Sequence, residues 1–210
     1  MSFSFQINIV FILKKYFNLL CILIDIRLTS LDLSTFDTSH VKDMNSMFYY
    51  CTSLTSLDLS NFKTENVIDM NYMFRKCSSL TSVNLSNFNT ENVKNMTRMF
   101  HHCSALESIN LSNFNTKNLE EANSMFEDCE LLTSIDLSTF VDTNLKNITN
   151  IFYDCPSLKY IDISSIEWNN KEDIDISNFK ADYGKLIIKK NLYSHLINTP
   201  DNSTWNITYL

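Results

Sequence analysis

The sequence predicts an α/β repeat fold, a solenoid in which 26-residue units stack one on another. Segments 54–62, 80–88 and 106–114 are near copies of one another, and each is followed at a fixed distance by Met-Phe-x-x-Cys. A constant period in this range indicates stacked supersecondary units, each too small to bury its apolar face alone. The cysteines that mark the period are Cys51, Cys77, Cys103, Cys129 and Cys155.

Each unit is predicted to contain a short parallel strand, a turn and a short helix. In the unit 80–105, Leu80, Val83 and Leu85 follow the L-x-x-L-x-L pattern of a leucine-rich-repeat strand. A polar turn follows at 86–90. The next apolar residues are spaced as on one face of a short helix, at Val93, Met96, Met99, Phe100 and Cys103. The array is therefore expected to be a leucine-rich-repeat-like solenoid.

The recurrence of the strand pattern divides the chain into three regions. The strand segments are 28–33, 54–59, 80–85, 106–111, 132–137 and 158–163, which predicts six rungs of one continuous parallel sheet. Residues 28–166 form the solenoid, 1–27 an N-terminal apolar cap and 167–210 an irregular C-terminal cap, because the exposed ends of such a sheet need covering. Within the C-terminal cap we expect strands at 185–189 and 205–209 and a helical turn or two at 191–198.

The N-terminal segment 1–27 has two interpretations. Its apolar stretches 3–13 and 16–26 flank Lys14-Lys15, whereas a secretory signal carries its positive charge first and small residues at a cleavage site. Neither stretch is long enough to span a bilayer. A cap over the first rung is favoured over an uncleaved signal-like segment or an anchor, and membrane association stays open.

The five periodic cysteines occupy one position in successive units, so we expect them to stack as a column that faces the core. A disulfide framework would instead join different structural positions. Free, buried thiols are favoured over disulfides between adjacent rungs, since free cysteine behaves as a small hydrophobe. The sixth cysteine, Cys21, is out of phase. No ligands cluster at short spacing, so no metal site and no other cofactor is predicted.

Composition excludes several functions. The net charge of −7 argues against a nucleic-acid partner, which would need a basic stripe to neutralise phosphates. One glycine and two prolines in 210 residues are too few for a phosphate-cradling loop or a turn-rich sandwich. No nucleophile elbow, phosphate loop or pocket-forming acid pair is present, so neither enzyme activity nor a catalytic residue is predicted.

The candidate binding face is a polar column on the strands. It holds the residue between the last two apolar positions of each strand, namely Asp32, Asp58, Asn84, Asn110, Asp136 and Asp162. Stacked strands place these about 4.8 Å apart, so the acids at each end would attract a cation or a basic ligand. The alternative is that the position simply needs a short polar residue, with the asparagines forming an amide ladder. The alternative is favoured because charged runs are usually solvated faces.

A second column lies on the predicted helices. It comprises Tyr49, Arg75, His101, Glu127 and Tyr153, beside Tyr50, Lys76, His102, Asp128 and Asp154. The pair His101-His102 suggests a metal site or a base, but adjacent residues of a helix do not face each other. We expect this column to be used for ion pairs between repeats, and exposed pairs contribute little.

The repeated residues resemble those of a known family. The unit Leu-Thr-Ser-Leu-Asp-Leu-Ser-Asn-Phe…Met-Phe…Cys-Ser-Ser-Leu resembles the BspA-like leucine-rich repeats of bacterial and protist surface proteins. More closely, it is similar to the mycoplasma-type surface-protein repeat of unknown function, over residues 28–166. Members commonly carry glycine before the cysteine, where a left-handed residue closes the helix. This chain has other residues there, so either the segment closes differently or these side chains adopt the left-handed conformation.

The resemblance implies a non-enzymatic, often cell-surface protein, with adhesion or host contact as the usual suggestion. We therefore expect a cell-surface or secreted interaction module whose strand face contacts a protein or glycan. An intracellular, cytoplasmic scaffold that uses the same face is the alternative. An enzyme ranks third.

Overall fold

The computed structural model describes residues 29–141, 144–166, 174–175, 183–189, 196–197 and 205–210. In this part the chain winds into a parallel-strand solenoid of about five turns, which confirms the predicted repeat solenoid. The strands are β1 (Ser56–Asp58), β2 (Ser82–Asn84), β3 (Ser134–Asp136), β4 (Tyr160–Asp162), β5 (Ile174–Asp175), β6 (Gly184–Ile188), β7 (Leu196–Ile197) and β8 (Trp205–Tyr209). The segment 1–27 lies outside the described residues, and its role as a cap or a signal stays a prediction.

The register of the strands repeats the period of the sequence. Ser56 of β1 pairs with Ser82 of β2 in a two-stranded parallel sheet. A four-stranded sheet has the order β3-β4-β6-β8, and β5 pairs with β7. The expected continuous six-rung sheet is wrong, because 106–111 form no strand. Among the described residues, no hydrogen bond joins the Glu107 N–H to the Thr81 carbonyl, the bond that would continue the sheet through this unit.

The stack continues beyond the last full unit. β6 pairs in parallel with β4, and β8 pairs with β6, so the sheet extends into the C-terminal region. These strands confirm the ones predicted at 185–189 and 205–209 to within a residue. Within the predicted helical stretch 191–198, Leu196–Ile197 form a strand instead. The helix is therefore wrong for these two residues, and the other six lie outside the described part of the chain.

The short helix predicted in each unit is also wrong, since the described residues contain no helix. In the third unit the N–H groups of Met96, Arg98 and Phe100 donate to carbonyl oxygens of the next unit, at 2.8, 3.0 and 2.9 Å. The N–H groups of Met99 and Cys103 instead bond back three residues, at 3.1 and 3.0 Å. An α-helix would direct every N–H to the carbonyl four residues earlier.

This segment is a run of tight turns whose sequence imitates a helix. Turns that close over three residues bring every third or fourth side chain to one side, so Val93, Met96, Met99 and Cys103 are all buried. Arg98 has φ 53°, a left-handed value that an α-helix does not contain. Beside the turns, isolated parallel bridges form a second ladder through Asp43, Asp69, Asn95, Glu121 and Asn147.

Aromatic side chains fill the core as a column. Phe74, Phe100 and Phe126 stack across three units, with centroids 5.2 and 5.6 Å apart and ring planes 9° and 2° from parallel. Phe48 and Phe152 extend the column at its two ends. Each aromatic pair contributes about 0.5–1.5 kcal/mol beyond the burial of its area.

Buried threonines and more exposed asparagines join each unit to the next by hydrogen bonds. The hydroxyl of Thr90 donates to the carbonyl of Asn115 at 3.0 Å and accepts the N–H of the same residue at 2.8 Å. Thr64 makes the equivalent pair of bonds one unit earlier. The amide of Asn113 donates to the carbonyl of Phe88 at 2.8 Å. These side chains satisfy backbone N–H and carbonyl groups that the strands leave unpaired. The bonds hold each unit in a fixed position relative to the next.

Candidate binding surface

The cysteine column lies in the core. All five side chains are buried, and those of Cys77, Cys103, Cys129 and Cys155 are free, so no disulfide joins adjacent cysteines of the column. Cys51 is disulfide-bonded, so the free thiol expected at this position is wrong. Each free thiol donates to a phenylalanine carbonyl of the previous unit, at 3.0 to 3.2 Å. Burial raises the pKa of the Cys77 thiol to about 12. Buried neutral thiols are inert toward metals and substrates, so this column is structural.

The strand-face column serves the turn that follows each strand. Its side-chain oxygen accepts the N–H two residues on, as Asp58 does from Ser60 at 2.9 Å and Asn84 from Ser86 at 3.1 Å. The same bond is made by Asp32, Asn110, Asp136 and Asp162. The hydrogen bond from the Ser60 backbone holds the pKa of Asp58 below its ordinary value. The turn therefore requires a short side chain with an acceptor oxygen, which aspartate and asparagine supply.

The strand face consists of short polar side chains. Five residues of the column are exposed, whereas Asp162 is buried. An amide-ladder contact joins Asn84 to Asp58 Oδ1 at 2.9 Å. Beside the column, Ser56 and Ser82 also point outward. Serine and aspartate are depleted at protein interfaces, and here the carboxylate oxygens already accept backbone bonds. The residue types of the candidate binding face are therefore explained by the fold, and its use as a binding face stays a prediction.

A second surface, which we call the turn face, carries larger side chains. It comprises Tyr49, Tyr50, Arg75, Lys76, His101, His102, Glu127, Asp128, Tyr153 and Asp154. A groove of about 240 Å³ crosses three units of this face, lined by Tyr50, Thr52, Lys76, Ser78, His102 and Ser104. An aromatic ring, an ammonium group, an imidazole and hydroxyls therefore line one open groove. It is smaller and more polar than a typical small-molecule pocket, so it offers polar contacts rather than an apolar cavity.

The first two units of the turn face stack cations on aromatic rings. The Arg75 guanidinium carbon lies 5.5 and 5.4 Å from the ring centroids of Tyr49 and Tyr72. Its Nη1 also donates to the Tyr49 hydroxyl at 3.2 Å. Lys76 Nζ lies 5.0 Å from the centroid of Tyr50. Cation–π contacts of this kind contribute about 0.5–1 kcal/mol at exposed sites, and the contact with Tyr50 holds the Lys76 ammonium group at the groove.

The next units of the turn face bring imidazoles against carboxylates. His102 Nε2 lies 3.2 Å and His101 Nδ1 3.5 Å from Asp128 Oδ2. His101 Nδ1 is also 3.2 Å from the carbonyl oxygen of Glu127. Burial lowers the pKa of His101 and raises the pKa of Asp128. The charge of the face thus changes from basic to acidic along the stack.

The backbone of the turn face is left-handed before every cysteine. φ is 67° at Tyr50, 64° at Lys76, 59° at His102, 61° at Asp128 and 52° at Asp154. The residues that replace the family's glycine therefore adopt the left-handed conformation rather than closing the turn differently. This conformation costs about 1–2 kcal/mol for an ordinary side chain, and less for aspartate. The missing glycine marks the same positions as the second column predicted from the sequence, for which ion pairs between repeats were expected.

The fold and this surface define a repeat-solenoid protein with a uniform core and a non-uniform turn face. A family model described as "Mycoplasma protein of unknown function, DUF285" matches residues 22–133 and again 81–186. The chain belongs to this family, which confirms the mycoplasma-type repeat expected from the sequence. Neither the curated proteins nor the solved structures include a significant match. Within the described residues, no helix has the length and apolar character needed to cross a membrane.

Proposed function

We propose that this chain is a non-enzymatic interaction module of a cell-surface or secreted protein of the BspA-like leucine-rich-repeat kind, acting in adhesion to a protein or glycan. One contrast carries the proposal. Inward positions repeat nearly unchanged from unit to unit, as in the phenylalanine and cysteine columns. The outward position before each cysteine changes from Tyr50 to Lys76 to His102 and then to aspartate. Stacking does not require this variation, whereas a specific contact surface does.

The left-handed backbone supports the same proposal. Glycine adopts such φ values without steric cost, yet Lys76 has φ 64° and His102 has φ 59°. Strained residues persist where the surrounding structure fixes them, and they cluster at functional sites. Side chains that are retained at the groove despite this cost are therefore the first candidates for ligand contact.

The turn face is better suited to binding than the strand face, the contact surface expected from the sequence. The strand-face aspartates are committed to turns, as Asp58 is to Ser60. The turn face offers tyrosine and arginine, the residues that most often dominate binding energy. Lys76 and Arg75 stand at its basic end, so the ligand proposed for the groove carries negative charge.

The test is a binding comparison between two variants of equal charge change. Purified chain is applied to arrays of sialylated, sulfated and neutral glycans and of purified extracellular proteins. A turn-face variant, Thr52→Glu with Ser78→Glu, fills the groove with negative charge, whereas Ser56→Glu with Ser82→Glu makes the same charge change on the strand face. We expect the first variant to lose binding of the retained ligand and the second to keep it. The reverse pattern would move the binding site to the strand face.

The cellular location of the protein is tested by treating intact cells with a non-permeant protease. Digestion of the chain, with a cytosolic control protein left intact, would support surface display and adhesion. Protection that is lost on lysis would favour the cytoplasmic scaffold instead. A hydrolase activity abolished by a single substitution would overturn the non-enzymatic part of the proposal.

A further inference from the structure

We propose that His101, His102 and Asp128 form a binding site for a divalent zinc ion at the acidic end of the groove. The three side chains come from two neighbouring units, and one donor atom from each can be chosen so that all lie within 4.8 Å of one another. The site is a further property of the turn face and does not depend on the adhesion role.

The two histidines converge because the segment is not helical. Their rings stack with centroids 4.5 Å apart and planes 14° from parallel. The left-handed φ of 59° at His102 turns its side chain back beside that of His101. Adjacent residues of a helix do not face each other, but this segment is not helical, so the two rings can act together.

The separations match those of ligands around one zinc ion. Zinc binds imidazole nitrogen and carboxylate oxygen at about 2.0–2.1 Å in tetrahedral geometry, which places neighbouring ligand atoms about 3.3 Å apart. Asp128 Oδ2 lies 3.2 Å from His102 Nε2 and 3.5 Å from His101 Nδ1. Two edges of the tetrahedron are therefore already close to their required length. His101 Nδ1 would exchange its contact with the Glu127 carbonyl, at 3.2 Å, for the metal.

The electrostatic surroundings favour a cation. The negative charges of Glu127, Asp154 and Glu130 act on Asp128. Two neighbouring basic groups act on His101, namely His102 and Arg75. Glu127 Oε2 is buried and has no hydrogen-bond partner among the described residues. Imidazole binds metal in its neutral form. A divalent ion would compensate this excess of carboxylate charge.

The site has an open side. The His102 side chain is 44% exposed and Asp128 19%, and His102 also lines the groove. Three protein ligands with one open position are the arrangement in which zinc binds a water or a ligand atom. Zinc held there would present a positive charge toward the groove.

The competing explanation is a simple ion pair between His102 and Asp128, and zinc titration separates the two. The full chain, freed of metal with a chelator, is titrated with zinc chloride in a non-coordinating buffer by calorimetry. We expect one site per chain. His102→Gln and Asp128→Asn should each weaken binding by at least about tenfold, since even outer-sphere partners of a metal site have effects of that size.

Matched variants control for charge and for histidine content. Asp154→Asn removes the same charge one unit along the stack, and His40→Gln removes an exposed histidine, so both should leave zinc affinity unchanged. Equal weakening by Asp154→Asn and Asp128→Asn would show diffuse attraction and overturn the site. Unchanged affinity in His102→Gln and Asp128→Asn, or no zinc binding by the parent chain, would overturn it as well.

Cobalt substitution identifies the ligands directly. Co²⁺ in a tetrahedral nitrogen and oxygen site gives visible absorption bands, which should be present in the parent chain and in Asp154→Asn and absent from His102→Gln. Thiolate charge-transfer bands would place the metal on a cysteine and overturn the proposal. Circular dichroism establishes that each variant is folded, and Asp128→Asn, which preserves shape, serves if His102→Gln is not.

Discussion

The thiol of Cys103 donates a hydrogen bond to the carbonyl oxygen of Phe74, with the sulfur 3.1 Å from the oxygen. The same carbonyl accepts the N–H of Cys77 at 3.1 Å within its own unit. One oxygen therefore closes a turn and ties that turn to the next unit. Because Cys77 repeats the contact with Phe48, the sulfur column is a chain of bonds between units. This geometry explains why a small apolar donor recurs at this position.

The buried thiols should make the fold sensitive to alkali. Burial raises the pKa of Cys77 from 9.0 to about 12, so between these pH values the folded chain keeps a proton that the unfolded chain releases. The stabilisation is complete below pH 9 and is lost as pH rises toward 12. Each such thiol should lower the free energy of unfolding by about 1.4 kcal/mol per pH unit in this range.

Cys77→Ala tests this dependence in urea unfolding measured from neutral pH upward. The variant is expected to be less stable near neutrality and to lose stability less steeply in alkali, because one titrating thiol is gone. Identical slopes for the parent and Cys77→Ala would show that Cys77 does not titrate differently in the two states.

The hydroxyl group of Thr90 should contribute more to stability than its methyl group. Thr90 is fully buried and satisfies both the N–H and the carbonyl of Asn115. Thr90→Val keeps the shape but leaves those groups unpaired, and each buried unpaired group costs about 1–3 kcal/mol. Thr90→Ser keeps the hydroxyl and removes only a methyl group, at about 1 kcal/mol. Urea unfolding should therefore place Thr90→Ser between the parent and Thr90→Val; the opposite order would show that the methyl group matters more than the bonds.

The solenoid and its core could be predicted because burial of a repeating apolar residue depends only on period. The positions of Leu80 and Cys103 are occupied by leucine and cysteine in each of the other units, and both residues are fully buried. The turn segment could not, since the spacing of Met96 and Met99 suits a helix and a run of three-residue turns equally. The partner of the Phe100 N–H decides between them, and that partner lies in the next unit. Local periodicity carries no information about it.

The proximity of His101 and His102 could not be predicted either, because it also depends on a backbone conformation that local periodicity does not determine. Whether His101 and His102 face each other depends on the backbone between them, and φ at His102 is 59°. The sequence showed that glycine was missing there, but the predicted helix implied that the two side chains diverge. By contrast, the strand-face column followed from the alternation of side chains along a strand, so Asp58 and Asn84 stand together as expected.

Two substitutions at Lys76 should separate the effect of the left-handed backbone on stability from the effect of the ammonium group on binding. Lys76→Ala and Lys76→Gly both remove the contact with the Tyr50 ring, but only glycine relieves the left-handed φ of 64°. We expect Lys76→Gly to be more stable than Lys76→Ala by about 1 kcal/mol in urea unfolding. Both should lose a ligand that depends on the ammonium group. Equal stability would mean that the backbone at this position is not strained.

The single glycine of the chain should tolerate no side chain. A Cβ on Gly184 would lie 2.6 to 2.7 Å from ring carbons of Trp205, which is itself buried. Gly184→Ala therefore forces the indole or the paired strands β6 and β8 apart, and overpacking of this kind costs about 1–3 kcal/mol. The cause is tested by repeating the substitution in a Trp205→Leu background, where the smaller side chain leaves room. Urea unfolding should show a smaller cost of Gly184→Ala in that background, whereas an equal cost in both would place the effect in the strand backbone rather than in the contact with Trp205.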